Sequence, residues 1–303
     1  MHLILGTLGT LFFSVGTFYC LAGLVLAYLA LSLIIAYLVQ EFPRKPYHDP
    51  PDWGRARDEW VPATGGGRLE VWRVEPDGPS RGIVVLAHGW GRNRDRMVAR
   101  GRIFGRWGFT VVIHSARDHG KSSRRRFMNA ARMAEDIESV LEWVEEPVLL
   151  YGHSAGAAAA IIAASRRPEK VKLLFLEACY VDSREALLSL YRWFNPLLGM
   201  AFGRMIVFWM NLFYRNRLKD VSPARLASLI RAPVMIIHGA LDQRFPVAFA
   251  LRLKTCFRPE RSELFVAENA RHSESSLDPG YAPAVHGFIV RHLDHAGDGK
   301  SLV

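Results

Sequence analysis

Residues 148–156 read Val148-Leu149-Leu150-Tyr151-Gly152-His153-Ser154-Ala155-Gly156, and an alanine-rich run continues to Ala164. An apolar run of strand length that stops at small residues and resumes as helix formers is the pattern of a buried strand turning sharply into a helix. A serine hydroxyl is a weak nucleophile until a tight turn presents it beside a base, and the glycines on either side let backbone and helix approach without a side-chain clash. The spacing therefore predicts a nucleophile elbow with Ser154 at its tip. The pentapeptide alone is unspecific; its place between a strand run and a helix run gives it weight.

The rest of the chain supplies partners in order. Pro233-Val234-Met235-Ile236-Ile237-His238-Gly239-Ala240-Leu241-Asp242 is a buried-strand pattern that leaves Asp242 just past a strand end, where open α/β sheets keep their working groups. A further strand pattern at 263–267 leads through Glu268-Asn269-Ala270-Arg271 to His272. With that geometry His272 would take the proton of Ser154, and Asp242 would fix the imidazole tautomer and stabilise the imidazolium. Should Asp242 only cap its own turn, Glu177 or Asp182 would be the substitute acid. Upstream, the strand pattern at 83–87 is followed by His88-Gly89-Trp90-Gly91. The amides of Trp90 and Ala155 are expected to donate to an oxyanion, with His88, Gly89, Gly91, Gly152, His153 and Gly156 supporting them. His88 is expected to brace the loop rather than act as base.

On these motifs, together with Ser115-Ala116-Arg117-Asp118-His119-Gly120-Lys121-Ser122 and Ala270-Arg271-His272-Ser273, residues from about Glu59 to His295 resemble the α/β-hydrolase superfamily. The spacing is most similar to the monoacylglycerol-lipase and serine-aminopeptidase-like branch. The resemblance implies a serine esterase or lipase without a cofactor, acting on a lipid or other ester. The same triad also serves peptidases, thioesterases and acyltransferases, and a membrane scaffold without turnover could retain the fold. His114 stands where these relatives often carry an acidic residue, which weakens substrate inference from the branch.

Other readings are set aside. Gly120-Lys121-Ser122 looks like the end of a phosphate-binding loop, but the first glycine of that pattern falls on Ser115. The 11 histidines form no metal-ligand pair at helical spacing beside a carboxylate, and Cys20, Cys179 and Cys256 lie far apart, so no metal is expected.

The periodicity predicts one α/β domain. A hairpin at 60–62 and 68–74 precedes strands at 83–87, 110–114, 147–151, 172–176, 233–237 and 263–267, alternating with helices at 95–106, 129–144, 155–165, 247–256 and 281–293. The expected architecture is a mostly parallel sheet with helices on both faces, a helical cap insertion and an N-terminal transmembrane helix. The division is 1–45 as anchor and 46–303 as hydrolase domain, with a cap at 183–222 inside it. The cap interleaves residues such as Trp193, Phe194, Leu197, Phe208 and Trp209 with Arg184, Arg192, Arg204, Arg215 and Arg217. That composition suits an interfacial helix pair or a lid over an acyl pocket, as well as a helical hairpin packed on the sheet.

No Asp, Glu, Lys or Arg precedes Glu41, and the apolar run from Leu3 to Val39 exceeds the ~20 residues an upright membrane helix needs. Either one tilted helix extends beyond the bilayer core or a hairpin turns near Gly16-Thr17. Gly-Thr without Pro or Asn is a poor turn, so a single pass is expected. Arg44, Lys45, Arg55 and Arg57 follow the run, which puts the hydrolase domain on the cytoplasmic side. Formal net charge is +10, and from Arg92 to Arg126 eleven Lys or Arg face only Asp95 and Asp118. Without a nucleic-acid-reading motif, that surface points to anionic lipid headgroups, and no nucleic-acid partner is expected.

Overall fold

Eight strands form one sheet, the inner ones carrying runs of β-branched and large apolar residues and the first, polar along most of its length, forming an edge. They are β1 (Arg55–Pro62), β2 (Arg68–Glu75), β3 (Ile83–Ala87), β4 (Thr110–His114), β5 (Val148–His153), β6 (Val171–Glu177), β7 (Val234–Gly239) and β8 (Ser262–Ala267). The computed structural model describes residues 2–293 except 42, 46–48 and 216, and describes residues 2–14 by their backbone alone. The expected anchor and hydrolase segments thus extend beyond the described residues at Met1 and over 294–303, His295 included.

The strand order is β1-β2-β4-β3-β5-β6-β7-β8. β1 and β2 pair antiparallel, β2 pairs antiparallel with β4, and the remaining neighbours are parallel. Parallel neighbours need crossovers, and helices supply them on both faces. The pleat sorts the side chains. Val85 and Ala87 face α3 (Ala130–Val144), α4 (Ala155–Arg166) and α8 (Val247–Lys254), while Val84 and Leu86 face α2 (Val98–Arg106) and α9 (Tyr281–Leu293). The fold is thus the expected mostly parallel sheet between two helical layers. The helix expected over 95–106 is split, its first turn being a 3₁₀ segment, Arg94–Met97, in which the Arg94 amide donates to Ser115 Oγ.

Between β6 and β7 stand α5 (Ser183–Phe194), α6 (Pro196–Phe213) and the short α7 (Pro223–Leu226). Asp182 caps α5 by accepting from the amides of Arg184 and Glu185. Asn195 ends α5 and caps α6, accepting from the Leu198 amide, and Pro196 occupies the first turn of α6, where a missing N–H does no harm. These residues make a sharp corner. At Gly199 the two helices touch, because a Cβ there would lie 2.7 Å from the Arg192 backbone.

The N-terminal helix α1 (His2–Leu38) runs unbroken through Gly16-Thr17, so the backbone makes no hairpin there. Val15–Leu38 is long and apolar enough to cross a membrane, and so is α6. The last part of α1 packs on α6: Ala36 is buried with Ile206, Val207 and Met210, the Trp209 indole donates to Ser32 Oγ, and just past α6 the Tyr214 hydroxyl donates to Gln40 Oε1. Beyond it, Arg44 donates to the carbonyls of Gly120 and Ser122.

Candidate active site

The elbow is built from the strand end upward. The amide of Ser154 donates to the Glu177 carbonyl at 2.8 Å, which ties the tip of β5 to β6. Ser154 itself has φ 56° and ψ −120°, a strained conformation for a residue with a Cβ. The surroundings enforce it. A Cβ on Gly156 would strike the carbonyls of Ala87 and His88, and one on Gly152 would strike the backbone of Gly156 and Ala157. The helix can thus start hard against β3 and β5 only because both positions are glycine.

His272 Nε2 lies 3.0 Å from Ser154 Oγ, and His272 Nδ1 lies 2.7 Å from Asp242 Oδ2. The other Asp242 oxygen accepts from the amides of Arg244 and Phe245 at 2.9 and 3.1 Å. Burial raises the pKa of this carboxyl, but the His272 hydrogen bond and charge and the Phe245 amide outweigh it and hold it below its ordinary value. With a carboxylate on Nδ1, the imidazole carries its proton there and presents Nε2 as an acceptor, a tautomer assigned from these partners. Such a relay can take a proton from a hydroxyl and return it to a leaving group. Asp242 and His272 are buried, and Ser154 is half-exposed.

Two histidines brace the loop after β3, and a third ties the elbow to the segment of His272. His88 Nδ1 donates to the Gly89 carbonyl at 2.7 Å, and its Nε2 accepts from the Ala116 amide at 3.0 Å. His119 Nδ1 donates to the Arg117 carbonyl, and its Nε2 accepts from the Gly91 amide. His153 Nε2 donates to the His272 carbonyl at 3.0 Å. Each ring has a donor on one nitrogen, and burial holds all three neutral: it lowers the pKa of His88 and His119 and takes His153 down to about 3. At Gly89 a Cβ would meet Ser154 Cβ at 3.1 Å, so this loop is pressed against the elbow and carries Trp90 with it. Ala155 opens α4, and a helix start leaves its first amides without intrahelical acceptors.

Sequence reasoning missed a buried network beneath the elbow. Arg100 of α2 binds Glu177 through Nε at 2.6 Å and Nη2 at 2.5 Å, and also donates to the Ser273 carbonyl beside His272. Tyr151 donates to Glu177 at 2.7 Å, and Tyr281 donates to Tyr151 at 3.0 Å. Burial would raise the Glu177 carboxyl, but Arg100 overrides it and holds the pKa at about 2. Glu177 therefore has its partners in this network. Asp182 is the α5 cap and accepts from Ser222 Oγ, so neither of the substitute acids stands beside His272. The available cue was a glutamate closing the apolar run of β6; nothing marked Arg100. Phe245 was also missed, with its ring centroid 5.2 Å from that of His272. His114, the departure from the family pattern, is buried, and desolvation lowers its pKa to about 4. Among the described residues no group of three His, Cys, Asp or Glu is placed to hold a metal ion.

Comparison with known proteins agrees with this architecture. Residues 78–225 match the model of the serine aminopeptidase S33 family. The chain is 26% identical over 230 residues to the uncharacterized protein YqkD of Bacillus subtilis, covering 71% of this chain and 72% of that one. It is 23% identical over 221 residues to a monoacylglycerol lipase of Mycolicibacterium smegmatis, covering 61% and 78%. The Pyrococcus furiosus esterase Pf2001 superposes with a TM-score of 0.68 at 17% identity, covering 83% of this chain and 99% of that one. The chain has the α/β-hydrolase fold. The protein is a hydrolase of the esterase/lipase type.

Proposed function

We propose that this chain is a membrane-anchored serine hydrolase that cleaves carboxylic esters of lipids, of the monoacylglycerol or lysophospholipid type, through an acyl-enzyme on Ser154. The observation that carries the reading is the continuous relay from Ser154 Oγ to His272 to Asp242, at 3.0 and 2.7 Å, on a serine held at φ 56°. In the first half-reaction Ser154 Oγ bonds to the ester carbonyl carbon while its proton passes to His272 Nε2. The carbonyl oxygen becomes an oxyanion facing the amides of Trp90 and Ala155. Collapse breaks the bond to the alcohol oxygen, which leaves with the proton from His272. Water then repeats the sequence on the acyl-enzyme, releasing the acid and restoring Ser154. Asp242 stays ionised and holds the ring.

A lipid substrate is favoured by the apolar α1 and the relative named as a monoacylglycerol lipase. The basic residues that follow α1, Arg44, Lys45, Arg55 and Arg57, favour a hydrolase domain on the cytoplasmic face, where anionic headgroups would meet its positive surface. The test is hydrolysis of a short soluble ester and of a long-chain monoacylglycerol in vesicles. Wild type is expected to cleave both and Ser154→Ala neither; equal turnover by the variant would remove Ser154 from the mechanism.

A further inference from the structure

The cap and the end of α1 lie side by side with their chains running the same way. Tyr28 stacks on Phe202 with ring centroids 5.1 Å apart and donates to the Ala201 carbonyl. Four residues on, Ser32 meets Trp209, and at the helix end Gln40 meets Tyr214. Advancing along α1 therefore means advancing along α6, and going back along both leads to the α5–α6 corner. Pro196 lies six residues before Phe202, so the corner projects about 9 Å beyond the Tyr28 contact toward the N-terminal part of α1.

That projection is apolar and uncovered. Phe194 is 79% exposed, Leu197 74% and Met200 65%, and Trp193 and Leu198 are exposed beside them. On α1, the stretch before Tyr28 shows the same surface, with Leu21, Leu24, Val25 and Leu26 exposed. The residues of α1 that precede Tyr28 extend about 39 Å, enough for a hydrocarbon core of ~30 Å. From Tyr28 onward one face, carrying Tyr28, Ser32, Ala36 and Gln40, is taken up by α6 and Tyr214, while Leu31, Ile34 and Leu38 remain exposed on the other. Exposed Arg204 stands about two turns back from the corner, at the height of lipid phosphates if the corner is immersed, and exposed Arg192, less than one turn back, has a stem long enough to carry its charge outward to them.

We infer that the α5–α6 corner is a second membrane contact, dipping into the bilayer beside the point where α1 enters it; this rests on reading α1 as a membrane anchor. The partner is the lipid bilayer itself. The immersion depth of about 9 Å matches that of interfacial amphipathic segments, which bury 5–10 Å. The corner also touches the site. Trp193 lies under the Arg244 guanidinium, 4.2 Å from the ring centroid, and Ser189 Oγ donates to the Arg244 carbonyl, two residues past Asp242. A lipid leaving the bilayer at the corner thus meets the rim of the site without crossing water.

Two measurements on the full chain in phosphatidylcholine vesicles decide the matter. With Cys20, Cys179 and Cys256 replaced by Ala, a spin label is placed on Leu197→Cys, on Val25→Cys or on Leu251→Cys. The label at 197 is expected to match that at 25, reached by oxygen and shielded from a water-soluble nickel complex, while the label at 251 is open to nickel. Nickel access at 197 equal to that at 251 overturns the inference; nickel access at 25 as well overturns the anchor and the inference with it. In the second measurement, with native cysteines, the Phe194→Asp/Leu197→Asp variant is expected to hydrolyse long-chain monoacylglycerol in vesicles at least tenfold more slowly. Its rate on a soluble short ester should stay within twofold of wild type. An unchanged vesicle rate contradicts the inference. Failure of wild type on both substrates would instead refute the proposed function, leaving the label positions to decide the membrane contact.

Discussion

Helices α4 and α6 are both apolar on nearly every side, yet they live in different surroundings. In α4, Gly156 to Ala164 are buried, wedged between the sheet and α3. In α6, only Gly199, Gly203, Ile206, Val207 and Met210 are buried, and the other faces show Leu197, Met200, Phe208 and Leu212 to the outside. Small residues let α4 close on backbone; large ones on α6 reach outward and find no protein. Apolar composition alone therefore says that water is avoided, and only residue size and neighbours say what replaces it.

The largest effect should come from the tip of the α4 elbow. Ser154→Ala and His272→Ala are each expected to lower kcat for a soluble ester by about 10³-fold or more with an unchanged melting temperature. A folded His272→Ala variant with wild-type kcat would separate the relay from the chemistry.

Acid should act next, and on the sheet side of the molecule rather than on α6. His114 and His153 are buried neutral, with pKa values lowered by desolvation to about 4 and about 3. In the unfolded chain each binds its proton near pH 6.5, so their stabilising share is intact above that pH and is lost as pH falls toward 4. Each loses about 2 kcal/mol by pH 5. Urea unfolding at pH 7 and pH 5 measures this, and equal midpoints would mean that these rings are hydrated.

Glycines sharpen the contrast between the two helices. Gly156→Ala places a Cβ on the His88 carbonyl and should lower stability by about 3 kcal/mol. Gly203→Ala meets only Leu188 Cδ2 at 3.5 Å and should stay within about 0.5 kcal/mol of wild type. Trimming α1 divides it in the same way. Removing residues 2–27 should leave the melting temperature of detergent-solubilised protein unchanged, while removing 2–40 uncovers Ile206, Val207 and Met210 and should lower it by about 5 °C. Identical melting of both truncations would show that the end of α1 does not support the cap.

What could be read in advance follows the same division. The elbow, the strand before it and the loop at His88 were legible because each is local: a few adjacent residues impose the turn, and the chain order of Ser154, Asp242 and His272 follows from strand ends. The sheet was legible from apolar runs, although β1 begins at Arg55, earlier than its alternation suggested. The Arg100–Glu177 pair was not legible, since 77 residues separate its members and only the packing of α2 beneath β6 joins them. Nor was the double character of α1. Tyr28 and Ser32 are two of several hydroxyl residues in the apolar run and Gln40 follows it, and only their partners Ala201, Trp209 and Tyr214 reveal that one end of the helix packs on α6.

The central claim is that Ser154 is an activated nucleophile. Its most direct test is labelling of the full, detergent-solubilised protein with a fluorophosphonate and location of the adduct by peptide mass, alongside Ser154→Ala. A single adduct on Ser154, absent from the variant, is the expected result. An adduct on another serine, or none in folded protein, would contradict the account.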